Sequence, residues 1–141
     1  MRIGIDIDGV LTDVIRYVCD YGSKYFYEKY GKLNININSW SIKDMFNVTD
    51  AEDKECWLTL VENYAINEPA RPFASEIINK LKNEGNSIYI ITARSVDKWD
   101  NVDGQMNNVV KIWLEHNGVN YDKLIFSKEK LEICEKYNID I

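Results

Sequence analysis

Residues 1–12 read MRIGIDIDGVLT, and this stretch decides the fold because it combines a strand pattern with a pair of acidic residues. Its isoleucines alternate with glycine or aspartate until Gly9 interrupts the pattern. This alternation predicts a short buried strand, and the glycine predicts a tight turn at its end. Asp6 and Asp8 are two residues apart, so on a strand their side chains point to the same side.

The two carboxylates are costly at the end of an apolar strand. Burial and mutual repulsion both disfavour their charged forms unless a cation or a proton lies between them. One interpretation is a metal-dependent site in which one carboxylate is a nucleophile and the other carries a proton. The alternative is a pair of polar turn residues, which is less favoured because buried charges are seldom retained without a partner.

Helical and strand patterns alternate along the rest of the chain. Thr12 is predicted to cap a helix that Gly31 ends, and the capping box T-x-x-E at 49–52 is predicted to open another. The remaining predictions are helices at 73–83, 106–117 and 128–137 and strands at 87–92, 124–126 and 139–141. Strands separated by helices favour an open parallel sheet with right-handed crossovers.

The first crossover, roughly residues 13–72, is far longer than the usual connection of a few residues. It contains about two helical patterns and a loop. We therefore predict an α/β core at 1–12 and 73–141 and a small helical cap at 13–72. Ligands of such sheets bind beyond the carboxyl ends of the strands, where Asp6, Asp8 and Thr92 are all predicted to lie.

Composition limits the function classes. At 141 residues, the chain is too small for several domains. Its net charge of −6 argues against binding to nucleic acid polymers or anionic membranes, because such proteins present a positively charged surface. Cys19, Cys56 and Cys134 form no C-x-x-C pair, so buried free thiols are favoured over a zinc site. No signal peptide or membrane-spanning run is visible, so a reducing cytoplasm is expected.

The motifs D-x-D-G-V-L-T at 6–12 and I-Y-I-I-T-A-R at 88–94 resemble the first two motifs of the haloacid dehalogenase superfamily of phosphotransferases. Within it, the chain most resembles the small nucleotidases of the 5′(3′)-deoxyribonucleotidase type. The resemblance implies a three-layer, Rossmann-like α/β fold with a parallel sheet and a helical insertion between these motifs. It also implies a magnesium-dependent phosphomonoesterase that forms an aspartyl-phosphate on a small substrate, most simply a nucleotide monophosphate.

The resemblance also assigns roles. Asp6 would attack phosphorus, Asp8 would carry the proton, and Thr92 would donate its hydroxyl to the phosphoryl oxygens. The turn residues Gly9 and Val10 are candidates to present main-chain N–H groups to the phosphate.

Two cationic positions are less sharply defined by the pattern. Arg94, with Ala93 before it, is a candidate substrate contact, and a salt-bridged arginine is an equal alternative. The lysine of the third motif is either Lys130, preferred because it directly precedes the apolar stripe at Leu131, or Lys128.

The expected Mg²⁺ needs hard oxygen ligands, for which Asp6 and the main-chain carbonyl of Asp8 are the candidates. The fourth motif, one or two acidic residues after the next strand, is expected beyond residues 139–141, where the sequence ends. Asp97, Asp100 and Asp103 are alternative ligands on a loop. The chain is thus expected to be a fragment, a short gene product or a divergent member, with an exposed sheet edge that favours self-association.

Aromatic residues are frequent in the predicted cap, and most lie on helical stripes. Trp40 and Phe46 fall in its irregular part and are the better candidates to stack on a nucleobase. Two alternatives to the nucleotidase remain open: a phosphatase of another small phosphoester such as a sugar phosphate, and a non-catalytic phosphate or nucleotide binder that lacks the fourth motif.

Overall fold

The computed structural model describes residues 1–94 and 105–141, and the chain divides into two compact units. One unit comprises Met1–Thr12 and Pro69–Ile141, and the other comprises Asp13–Glu68. In chain order the elements are β1 (Arg2–Ile5), α1 (Val14–Tyr30), α2 (Ile42–Phe46), α3 (Asp50–Asn67), α4 (Ala74–Asn83), β2 (Ser87–Thr92), α5 (Gln105–His116), β3 (Lys123–Phe126) and α6 (Lys130–Tyr137).

The first unit is an α/β structure with a parallel sheet, which confirms the predicted class. Its strands lie in the order β1-β2-β3, with Ile5 beside Ile90 and Thr92 beside Phe126. The carboxyl ends of β1 and β2 therefore meet at one edge of the sheet. This edge receives the residues on which the sequence analysis centres.

Helices pack on both faces of this sheet, because successive residues of β2 point to opposite sides. Ile88 and Ile90 join a buried cluster with residues of α4 and α5, including Ile78 and Trp113. Tyr89 points the other way, and its ring centroid lies 5.9 Å from that of Tyr137 in α6. Among the described residues, no helix is long and apolar enough to cross a membrane.

The outer edge of β1 is occupied by the last residues of the chain. The Asp140 N–H donates to the Arg2 carbonyl at 2.8 Å, and the Gly4 N–H donates to the Ile141 carbonyl at 2.7 Å. Residues 139–141 thus make the sheet contacts expected of the start of another strand, although they do not form a strand of their own. β1 consequently has hydrogen-bond partners on both sides.

The second unit, Asp13–Glu68, is helical. α1, α2 and α3 enclose a buried cluster of Val18, Phe26, Ile42, Met45, Phe46 and Cys56. The predicted capping box is confirmed, because the Glu52 N–H donates to Thr49 Oγ1 at 3.3 Å and the Thr49 N–H donates to Glu52 Oε2 at 2.8 Å. The α2 helix was not predicted, since five residues are too few to display a helical period.

Two details of the helical unit and its start differ from expectation. Asp13 rather than Thr12 caps α1, and the buried Thr12 hydroxyl instead donates to the Ile7 carbonyl at 3.1 Å. Phe46 is buried, with its ring centroid 4.9 Å from that of Phe26, so it belongs to the core of the helical unit and is not a substrate contact.

The cysteines are all free, but only Cys56 is fully buried; Cys19 and Cys134 are half-buried. Burial raises the pKa of the Cys56 thiol to about 11, so this group stays protonated and packs as a small apolar side chain.

Candidate active site at the carboxyl edge of the sheet

The acidic motif lies beyond β1 and not within it. β1 ends at Ile5, and residues Ile7–Leu11 form one wide turn in which Gly9 has a φ of +78°. Glycine adopts this left-handed conformation without strain, which explains its place in the motif. Asp6 and Asp8 therefore follow β1 and are not part of it, although both keep extended backbone angles, with φ of −84° and −77°.

Asp6 is held by the chain on one side and by a lysine on the other. Its Oδ1 accepts a hydrogen bond from the Ile7 N–H at 2.8 Å, and its Oδ2 accepts one from Nζ of Lys130. Lys130 is the first residue of α6, which follows β3 after a short loop. Of the two candidate lysines, Lys130 is the one whose ammonium group donates to Asp6.

Asp8 is held by Arg94, which lies two residues beyond the end of β2. Nε of Arg94 donates to Oδ1 and Oδ2 of Asp8 at 3.1 and 3.2 Å, and Nη2 donates to Oδ1 at 2.7 Å. The Arg94 side chain is 0% exposed, whereas that of Asp8 is 28% exposed. The guanidinium group therefore contacts a carboxylate that solvent still reaches in part.

Thr92 and Trp113 also lie beside Arg94. Thr92 is the buried last residue of β2, and its Oγ1 accepts a hydrogen bond from the Arg94 N–H at 3.2 Å. The guanidinium carbon of Arg94 lies 5.6 Å from the centroid of the Trp113 ring. The sequence analysis missed Trp113, because an aromatic residue on the apolar stripe of α5 carries no sign of a partner.

The other predicted site residues are more widely distributed. Gly9 and Val10 lie in the turn after β1, where Val10 is exposed, and Ala93 lies between Thr92 and Arg94. Lys128 precedes α6, and its carbonyl accepts the Lys130 N–H at 2.9 Å. Trp40 belongs to the helical unit and is 86% exposed. The candidate ligands Asp97, Asp100 and Asp103 lie outside the described residues.

The oxygen atoms of Asp6 and Asp8 are of the type that Mg²⁺ prefers as ligands. Carboxylate and carbonyl oxygens are hard ligands, and Mg²⁺ is commonly held by one or two carboxylates together with water and substrate phosphate. Asp6 and Asp8 meet that minimum, and each is already balanced by a cation. In residues 1–94 and 105–141, however, no group of three acidic, histidine or cysteine side chains lies together as a metal cluster.

Comparison with known proteins finds relatives that are named as nucleotidases, at low sequence identity. No family model matches the chain. The chain is 25% identical over 146 residues to "Putative nucleotidase YqfW" of Bacillus subtilis, an alignment that covers 100% of this chain and 68% of the relative. A "Putative nucleotidase" of Bacillus cereus is 25% identical, with 99% of this chain and 74% of the relative covered.

A third relative carries a more specific name. It is a "Putative 5'(3')-deoxyribonucleotidase" of Chlorobaculum tepidum, 26% identical over 133 residues, with 93% of this chain and 64% of the relative covered. These similarities confirm the resemblance drawn from the two motifs and are consistent with a nucleotidase-like family of the haloacid dehalogenase type. Over nearly its whole length, the chain is similar to bacterial proteins named as nucleotidases.

Proposed function

We propose that this chain hydrolyses small phosphate monoesters, with nucleoside monophosphates as the substrate class, through an aspartyl-phosphate on Asp6. The observation that carries the proposal is the meeting of Asp6, Asp8, Thr92 and Lys130 beyond the carboxyl ends of β1, β2 and β3. A nucleophile, a proton carrier, a hydroxyl donor and a cation are the groups that phosphoryl transfer requires. The printed names of the relatives support the substrate class.

In the first step, an Asp6 carboxylate oxygen attacks phosphorus and the ester P–O bond breaks. The bonding electron pair leaves with the substrate oxygen, which takes a proton from Asp8 and departs as an alcohol. Lys130 offsets the charge of Asp6 and of the phosphoryl group, and Thr92 would donate its hydroxyl to the phosphoryl oxygens.

In the second step, water attacks the same phosphorus and gives a proton to Asp8. The bond between the Asp6 oxygen and phosphorus breaks, which releases inorganic phosphate and restores the Asp6 carboxylate. Asp6 and the Asp8 carbonyl are the groups that would hold Mg²⁺. When bound, the ion would neutralise charge on the phosphoryl oxygens.

The test is phosphate release from a panel of nucleoside monophosphates and sugar phosphates, with Mg²⁺ or with a chelator. We expect turnover that requires Mg²⁺ and is abolished by Asp6→Asn. Asp20→Asn is the matched control, because Asp20 is an exposed residue of the helical unit that pairs only at the surface with Arg16. A preference for sugar phosphates would correct the substrate class, and turnover by Asp6→Asn equal to wild type would refute the mechanism.

A second candidate is a non-catalytic binder of phosphate or nucleotides. It is favoured by one observation: Asp6 and Asp8 are each engaged by a cation, and the described residues bring no third acidic side chain to them. Titration calorimetry with a nucleoside monophosphate separates the two functions. Binding without phosphate release, at saturating Mg²⁺, identifies the binder.

A further inference from the structure

We infer that Arg94 is a positioning residue, which acts on the reaction by holding Asp8 in place for proton transfer to the leaving oxygen. The inference rests on the proposed function. It replaces the expectation that Arg94 contacts the substrate, and it accounts for a buried arginine that the two reaction steps do not otherwise use.

Burial separates the two possible roles of Arg94. A guanidinium group that binds phosphate has to present its N–H donors to the ligand, whereas the Arg94 side chain is 0% exposed. Three hydrogen bonds go from it to Asp8, and the carboxylate of Asp8 remains the exposed member of the pair. Arg94 thus supports Asp8 from within the protein, and Asp8 is the group that substrate can reach.

The geometry also selects arginine over lysine. The carboxylate receives Nε and Nη2 from one planar group, so both its position and its rotation are fixed. The guanidinium carbon lies 5.6 Å from the Trp113 ring centroid, and the Arg94 N–H donates to Thr92 Oγ1. A lysine at this position keeps the positive charge but lacks two N–H donors in one plane, so it cannot fix the rotation of the carboxylate.

The inference is tested by comparing two substrates whose leaving groups differ in their need for a proton. A nucleoside monophosphate leaves as an alkoxide unless it is protonated, whereas p-nitrophenyl phosphate leaves as a stable phenolate that needs no proton. General acid catalysis commonly contributes a factor of at least about 100. For Arg94→Gln we therefore expect kcat/KM to fall about 100-fold on the nucleotide and less than about tenfold on p-nitrophenyl phosphate, with little change in the nucleotide KM.

The value of kcat/KM is the correct comparison, because it reports the steps up to departure of the leaving group. A change in the later hydrolysis of the aspartyl-phosphate does not enter it. If Arg94→Gln does not fold, Arg94→Lys provides the same comparison with the charge retained. Arg16→Gln is the matched control, since Arg16 is an exposed residue of α1.

A double variant separates positioning from a structural role. Because Arg94 acts through Asp8, Arg94→Gln should add less than about a threefold loss on the nucleotide when Asp8 is already Asn. Equal losses on both substrates, a raised KM with unchanged kcat, or fully additive losses would each overturn the inference and leave the proposed function standing. A wild-type chain that hydrolyses neither substrate overturns the proposed function and this inference with it.

Discussion

Replacing Lys130 by Met removes the ammonium group that donates to Asp6 while keeping a long apolar side chain. A hydrogen bond to a charged group contributes about 1.5–3 kcal/mol where it is made. In the proposed reaction this contact offsets charge as the phosphoryl group is transferred, and about 1.4 kcal/mol corresponds to a tenfold change in rate. We therefore expect kcat/KM on a nucleoside monophosphate to fall roughly 10- to 100-fold.

The same change should scarcely affect folding. The Lys130 side chain is 45% exposed and that of Asp6 is 24% exposed, so water and salt screen the pair in part. Ion pairs of this kind contribute about 0–1 kcal/mol to the free energy of unfolding. Urea denaturation should thus show a small change for a variant whose phosphate release is strongly reduced.

Lys128→Met is the matched control, because it changes the same residue type two positions away. We expect it to lose less than about threefold in kcat/KM, which is below 1 kcal/mol. If Lys128→Met lost more activity than Lys130→Met, the assignment of the third-motif lysine would be refuted. If Lys130→Met unfolded the chain, the contact would have to be regarded as structural.

Further outcomes are expected from other contacts. Gly22→Ala places a Cβ 2.7 Å from a ring carbon of Phe46, so the free energy of unfolding in urea should fall by about 1–3 kcal/mol despite the better helix propensity of alanine; a more stable variant would contradict this. The hydrogen bond from Lys82, with that from the Ile88 N–H, lowers the pKa of Asp122, so its stabilisation is present above about pH 4 and is lost as the pH falls through the lowered value. Asp122→Asn should accordingly be less stable than wild type at pH 7, and the difference should shrink as the pH falls below about 4, as measured by urea unfolding at each pH.

The strongest local patterns predicted the elements of the α/β unit well. The run at 87–92 is almost wholly apolar and β-branched, and β2 spans Ser87–Thr92. The helix predicted to end before Gly85 is α4, Ala74–Asn83. In these segments the residues that define the pattern are also the ones that pack, so local and tertiary preferences agree.

The helical unit was less predictable because its details depend on distant contacts. Phe46 looked available for a ligand in an irregular segment, yet it packs against Phe26 and close to Gly22 of α1. Ser41 caps the short helix that carries Phe46 by accepting the Asp44 N–H at 3.1 Å. A single serine before five residues is too weak a signal to identify such a helix from the sequence.

In the candidate site, too, the local motif was predictable and the distant contacts were not. The motif identified Asp6 and Asp8 correctly as the residues beyond β1, but their partners are remote in sequence. Lys130 is 124 positions from Asp6, and Arg94 is 86 positions from Asp8. No local pattern encodes which cation reaches which carboxylate, since that choice is made by the pairing of the strands and by the start of α6.

The hydrogen bonds on the outer edge of β1 bear on the order in which the protein can assemble during synthesis. β1 lies near the start of the sequence, whereas its outer partners are residues 140 and 141 and its inner partner is β2. Contacts between such distant residues close slowly and leave apolar strands unprotected in the meantime. The amino-terminal segment is therefore expected to bind chaperones until residues 139–141 have been synthesised and can pair with β1.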